Sequence, residues 1–283
     1  MTRLLMMEGN TLEKQAEASR LGVRNATDVY MRAIRAHFPD LELEVLHAAD
    51  KGQSLPNGRT LNDYDGMVIS GSGLHAYDEI FEVTNQIEWL KTFAQTGKPI
   101  LGSCWGLQIA VMAAGGMVGL SPNGREVGIA RKIGLTDVGK AHPLMAGKPT
   151  IFDAPCIHYD EVTVLPEGCT LLASNAHSHV QAAIVPLGKS EVWAVQYHPE
   201  FDLIQLSMLL TLYKQNMLDQ GFVKSVEELT DYQSKLDDLA ANSKDNAASW
   251  QLGIDSDIIN DEIRRAEIIN WVNHVIQGKQ NHG

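Results

Sequence analysis

The stretch Gly102-Ser103-Cys104-Trp105-Gly106-Leu107-Gln108 constrains this chain more than any other. An apolar run, Pro99-Ile100-Leu101, leads into it, and a helix-compatible run, Leu107 to Ala114, leads out. A reactive residue between glycines at a strand-to-helix switch reads as a nucleophile elbow. The turn forces unusual backbone angles on the central residue, and the glycines let chain and substrate come close. The general signature centres on serine; here the centre is Cys104. Far downstream, Gln196-Tyr197-His198-Pro199-Glu200 puts a base and an acid two residues apart at the end of a strand-like run. The two stretches together can form a Cys-His-Glu triad.

The rest of the first half supports the kind of sheet such an elbow needs. Arg3 to Met7, Leu43 to Leu46 and Gly66 to Ser70 read as strands, the last with the continuous apolar character of burial on both faces. Ala26 to Phe38 reads as a helix with Asn25 as a candidate cap, and Glu79 to Gln95 as another, with Val83, Ile87, Leu90 and Phe93 at helical spacing. This alternation predicts an α/β fold: a three-layer, mostly parallel sheet flanked by helices, with sites at the carboxyl ends of strands. From Glu126 to Val195 short strand-like runs recur: Val127 to Leu135, Val162 to Leu165, Leu171 to Ser174, Val180 to Val185 and Val192 to Gln196. They predict an antiparallel extension whose last strand delivers His198. A helix over Leu203 to Met217 follows.

The expected division is a catalytic domain over 1–222 and a helical extension over 223–283. Ser225-Val226-Glu227-Glu228 matches a capping box, followed by Leu229, Leu236 and Leu239 on one face. Beyond the polar linker Asn242 to Asn246, a second helix from Asp257 to Gln277 is expected, with Arg264, Arg265 and Glu267 on its polar face. Neither helix can bury its apolar stripe alone, so each docks on the main domain or on a second copy of the chain, or acts as a lid.

Composition excludes several function classes. The net charge of −12, from 23 basic and 35 acidic side chains, lacks the footprint that a phosphate backbone needs, so no nucleic-acid partner is expected. No apolar run is long enough to cross a membrane, and the N-terminus turns acidic too soon for a signal peptide. Three cysteines make no disulfide framework, and the expected compartment is the cytoplasm, where a thiol survives. His158, His177 and His179 fit no closed zinc pattern, so neither a metal nor another cofactor is expected. Cys156 and Cys169 lack any catalytic context and read as packing residues.

The chemistry follows from the residue types. Cysteine attacks a carbonyl as thiolate, which a helix N-terminus favours. His198 can take the thiol proton and return it to the leaving amine, and Glu200 can orient the imidazole and stabilise its cation. The oxyanion needs two donors: the backbone N–H of Trp105, just after the nucleophile, and the Gly71-Ser72 turn after the third strand. Each donor is worth roughly 3 kcal/mol in the transition state.

These residues, with Ile69-Ser70-Gly71-Ser72, carry a resemblance. Over about residues 1 to 220 the chain resembles the class I, triad-type glutamine amidotransferases. The resemblance implies that Cys104 forms a γ-glutamyl thioester, with His198 as acid and base and Glu200 as the orienting acid. It also implies that Gln108 helps to hold the α-amino-acid end of a small γ-glutamyl substrate. Three features depart from the family's commonest pattern. Ser72 replaces a second glycine in the oxyanion turn, Ser103 replaces an aliphatic residue before the nucleophile, and no synthetase domain is fused. Two readings follow: a hydrolase of γ-glutamyl amides, amines or anilides acting alone, or a glutaminase subunit serving a separate synthetase. On the first, His75, Tyr77, Trp105 and His179 frame the leaving group, although Trp105 can equally pack under the elbow helix. A regulatory pseudoenzyme is the third class, opposed by the intact triad.

Overall fold

A computed structural model describes residues 1–282. The first half runs β1 (Arg3–Met7), α1 (Leu12–Arg20), α2 (Ala26–His37), β2 (Glu42–Leu46), β3 (Gly66–Ile69), α3 (Phe81–Ala94), β4 (Ile100–Ser103) and α4 (Trp105–Ala113). Next come β5 (Met117–Leu120), β6 (Glu126–Leu135), α5 (Asp137–Ala141), β7 (Ile151–His158), β8 (Asp160–Val164), β9 (Thr170–Ser174), β10 (Ala182–Leu187) and β11 (Ser190–Val195). The chain closes with α6 (Leu203–Leu212), α7 (Lys214–Asp219), α8 (Val226–Ala241), α9 (Asn246–Leu252), α10 (Ser256–Ile259), α11 (Asp261–Arg264) and α12 (Ala266–His282).

Nine strands form one sheet in the order β2-β1-β3-β4-β11-β10-β9-β6-β7. The five strands from β2 to β11 are parallel, and the remainder is antiparallel, as the sequence predicts. β11 is the last strand of the chain and leads to His198, as expected. It lies at the junction, parallel to β4 on one side and antiparallel to β10 on the other. Its register pairs Val195 with Ser103, so the chain leaves β11 toward His198 beside the point where β4 leaves toward Cys104.

Two expectations are corrected, and one strand goes unread in the sequence. Val162 to Leu165 belongs to β8, which pairs with β5 in a separate two-stranded sheet. β7 interrupts its apolar pattern with Pro155, which hides it from a strand reading; as the outermost strand it tolerates a proline. The helix expected over Leu203 to Met217 breaks at Tyr213 into α6 and α7.

Alternate residues of β1 feed two cores, one on each face of the sheet. Leu5 and Met7 pack with α3 and α4, whereas Leu4 and Met6 pack with Tyr30, Ala33 and Ile34 of α2. The C-terminal helices dock on this same chain. Leu229, Leu236 and Leu239 of α8 pack on Leu203, Leu206 and Leu210 of α6. Ile268, Trp271 and Val272 of α12 lie beside α2 on the sheet, and Trp271 packs against Gly66, where an added Cβ would come within 3.0 Å of its ring.

The expected polar face of the last helix is wrong. Arg264, Arg265 and Glu267 are buried, because breaks at Asn260 and Arg265 re-aim the chain and turn these side chains inward. Glu267 pairs with Lys148 at 3.2 Å, both wholly buried, and accepts the Tyr197 hydroxyl at 2.6 Å. Among the described residues, no helix is long and apolar enough to cross a membrane.

Candidate active site

Cys104 sits between β4 and α4 with φ 49° and ψ −96°, a conformation non-glycine residues rarely hold. The flanking glycines explain how the elbow closes. A Cβ on Gly102 would come within 2.7 Å of the Gly106 carbonyl carbon, and one on Gly106 within 3.1 Å of Ile69 Cβ. Only this bare backbone lets α4 start so close to β3 and β4. The first N–H groups of α4 have no intrahelical acceptor and present partial positive charge to the thiol. Cys104 is nearly buried, its backbone N–H donates to Val195 O at 2.7 Å, and its Sγ lies 3.8 Å from Ile157 O.

His198 is fixed on every side. Its backbone N–H donates to Pro155 O at 2.8 Å, and its ring stacks on Phe201 with centroids 3.9 Å apart. Its Nδ1 meets Glu200 Oε1 at 2.7 Å. A Cβ on Gly71 would come within 2.7 Å of its Cε1, so this position admits only glycine without a shift. Burial pulls the imidazole pKa down, but the Glu200 carboxylate, followed by the neighbouring Cys104 sulfur, pushes it up to about 10. Such an imidazolium stabilises a neighbouring thiolate and has a proton to give. Ser103 acquires a reason here: its hydroxyl donates to the same Glu200 oxygen at 3.0 Å, in full burial. An aliphatic residue would leave that oxygen one donor short.

The Ser70-Gly71-Ser72-Gly73 turn is held by residues that local sequence patterns did not mark. Gly9 N–H donates to Ser70 Oγ at 3.0 Å. Asn10 clamps the turn from both sides, donating to Gly71 O at 3.2 Å and accepting from Gly73 N–H at 3.2 Å. Glu8 anchors this segment by accepting from Asn10 and from the Thr27 backbone and hydroxyl. These residues follow β1, and only the β1–β3 pairing brings them to the turn. The turn lies against His198 through Gly71, next to the Trp105 end of α4, so the Ser72 and Trp105 N–H groups remain the oxyanion candidates.

Gln108, His75 and Tyr77 gather around one aspartate. Gln108 Nε2 donates to Asp160 O at 3.2 Å, His75 Nδ1 meets the Asp160 carboxylate at 2.6 Å, and Tyr77 stacks on His75. Burial, then the Asp160 charge, pushes the Tyr77 hydroxyl up to about 12. Trp105 does not frame a cleft. Its indole is fully buried under α4, with Nε1 donating to Gln86 at 2.8 Å. His179 is exposed and shares in none of the hydrogen bonds or ion pairs among the described residues.

His158 and His177 do converge with Glu126, with their candidate ligand atoms within 4.8 Å of one another. Glu126 is already met by His158 at 2.8 Å, Asn175 at 2.7 Å and Gln181 at 2.8 Å, which reads as a buried ion-pair network. Burial raises the Glu126 carboxyl pKa, but these partners hold it below its ordinary value.

His198 also lines a cleft of about 270 Å³. Gly71 and Ser72 line it with His198, and α1 and the α6–α7 segment contribute most of the remaining lining.

Residues 25–223 match the family described as glutamine amidotransferase class-I, and the chain belongs to that family. It is 30% identical over 282 residues to a gamma-glutamyl-L-1-hydroxyisopropylamide hydrolase of Pseudomonas sp, covering 97% of this chain and 93% of that one. It is 29% identical over 178 residues to gamma-glutamyl peptidase 3 of Arabidopsis thaliana, covering 59% and 69% respectively. A glutamine-hydrolyzing GMP synthase of Lactococcus lactis matches at 29% over 203 residues, but 71% of this chain covers only 37% of that enzyme. In fold, the chain is similar to a glutamine amidotransferase from Thermotoga maritima, with a TM-score of 0.65, 18% identity and coverage of 97% and 98%.

Proposed function

We propose that this class I glutamine amidotransferase family member hydrolyses the amide bond of γ-glutamyl compounds through a thioester on Cys104. The observation that carries the reading is the buried Cys104–His198–Glu200 arrangement at the elbow, with His198 poised as a cation. Cys104 Sγ attacks the γ-carbonyl carbon while the Ser72 and Trp105 N–H groups take the developing oxyanion. Collapse breaks the carbon–nitrogen bond, and His198 gives its proton to the departing nitrogen. Water, deprotonated by His198, then cleaves the thioester to glutamate and restores the thiol. Gln108 holds the α-amino-acid end of the substrate, with His75 and Tyr77 around the same aspartate.

Likeness over 97% of this chain, tail included, to a gamma-glutamyl-L-1-hydroxyisopropylamide hydrolase favours hydrolysis over ammonia delivery. The likeness to the amidotransferase part of GMP synthase supports the second reading, a glutaminase subunit with a separate synthetase. We take residues 1–222 as the catalytic unit and 223–283 as an extension that completes its packing. A substrate panel without ATP tests the reading: glutamine, γ-glutamyl dipeptides and γ-glutamyl alkylamines, with release of the amine measured. Release is expected from γ-glutamyl amides and is abolished by Cys104→Ala. Glutamine as much the best substrate, with stimulation by a synthetase, would favour the second reading instead.

A further inference from the structure

The cleft beside His198 says which amine leaves. This inference rests on the proposed hydrolysis. The proton donor to the leaving nitrogen is His198, so the departing group must lie where His198 faces open space. Gln108, His75 and Tyr77 are grouped at Asp160, and none of them lines the cleft. The cleft is lined by the His198 imidazole and by the Gly71-Ser72 turn, the groups assigned here to proton donation and oxyanion binding. At about 270 Å³ it far exceeds what ammonia fills, since one water takes about 30 Å³ of liquid.

Its walls have a definite chemistry. Val23, Ile157, Phe201, Leu209 and Leu212 give it an apolar lining. The charged lining residues are Lys14, Arg24 and the single carboxylate Glu17, besides His198, so cations outnumber carboxylates in a chain that carries net −12. Lys14 sits over the catalytic turn, its Nζ 3.4 Å from Gly73 O, and has no carboxylate partner within 4.0 Å among the described residues. Arg24 shares its charge with Asp202 only at 3.4 Å, while that carboxylate also caps α6 through the Gln205 N–H at 2.6 Å. The physical character of α1 fits this role. Only Gln15 of its residues is buried, so the helix contributes little to the core and is spent on the cleft.

We propose that the leaving group is an amine that itself carries a carboxylate, an amino acid or short peptide. Its side chain lies on the apolar lining, and its carboxylate is held by the Lys14 ammonium at the mouth. The bond broken is then the γ-glutamyl peptide bond. The nitrogen leaves with the His198 proton, and the carboxylate keeps its charge throughout.

The test compares γ-glutamyl-alanine with γ-glutamyl-isopropylamide, which lacks only the carboxylate oxygens, in the full chain and in Lys14→Met and Lys14→Glu. An ionic hydrogen bond is worth about 1.5–3 kcal/mol, and the mouth is open to water, so the lower end applies and corresponds to about tenfold. The expected results are a tenfold or greater kcat/KM preference for γ-glutamyl-alanine, carried in KM. That ratio falls about tenfold in Lys14→Met and further in Lys14→Glu. Equal or better turnover of the isopropylamide, or an equal loss on both substrates in the variants, overturns the proposal while leaving γ-glutamyl hydrolysis standing. If no γ-glutamyl amide releases amine, both fall together.

Discussion

Replacing Glu200 by Gln should change the charge state of the site without changing its shape. Gln is isosteric with Glu, and its amide oxygen can still accept from His198 Nδ1 and from Ser103, now 2.7 Å and 3.0 Å from the carboxylate oxygen. What disappears is the negative charge. Burial pulls the His198 pKa down, and Glu200 heads the influences that push it up, to about 10. Without that charge the imidazole should titrate far lower. The shift from an unfolded value near 6.5 to about 10 is some 3.5 units, or about 5 kcal/mol at 1.36 kcal/mol per unit. The sign follows from linkage. Taken at His198 alone, the folded imidazole keeps between pH 6.5 and 10 a proton that the unfolded one has lost, so this contribution is complete below pH 6.5 and is lost as pH rises through 10. Thermal unfolding of both proteins from pH 6 to 10 is the assay. The parent chain should lose stability over that range at up to about 1.4 kcal/mol per pH unit beyond any slope seen in Glu200→Gln. Equal pH slopes in the two proteins would show that Glu200 does not hold His198 as a cation.

Two more substitutions probe the scaffold. Gly71→Ala drives a Cβ to within 2.7 Å of His198 Cε1, so kcat on any γ-glutamyl amide should fall about 100-fold through misplacement of the ring, with circular dichroism unchanged; a loss under threefold would contradict the close approach. Glu267→Ala strips the partner from a wholly buried Lys148 and should cost about 3–5 kcal/mol, read by calorimetry. Restoring an apolar pair with Lys148→Met and Glu267→Leu should recover most of it, and a single variant as stable as the parent chain would mean that the ammonium finds water.

Local stretches carry the chemistry, and that is why the sequence is so informative about it. An elbow needs a strand, two small residues, a nucleophile and a helix within about a dozen positions, and His198 and Glu200 share one strand end. The parallel half of the sheet is legible for a similar reason, since buried strands and amphipathic helices repeat at fixed periods. Other elements resist such reading. α1 has almost no apolar stripe because it walls a cleft rather than a core. β7 is masked by Pro155, and the polar residues of α12 look solvated until Lys148 and Tyr197 are found against Glu267. Trp105 is an apolar residue at a site, and only its hydrogen bond to Gln86 decides that it serves the core.

The sequence by itself therefore determines the α/β class and marks Cys104, His198 and Glu200 as the candidate triad, in their order along the chain. Tertiary structure alone decides that Val195 pairs with Ser103, which sets His198 against Cys104, and that Asn10 braces the catalytic turn. It also decides that the open side of His198 faces α1 and α6 rather than the His75-Tyr77 loop. The reason is physical: reactivity follows from side-chain type and local backbone, whereas the shape of a cleft depends on strand register and helix packing between residues far apart in the chain.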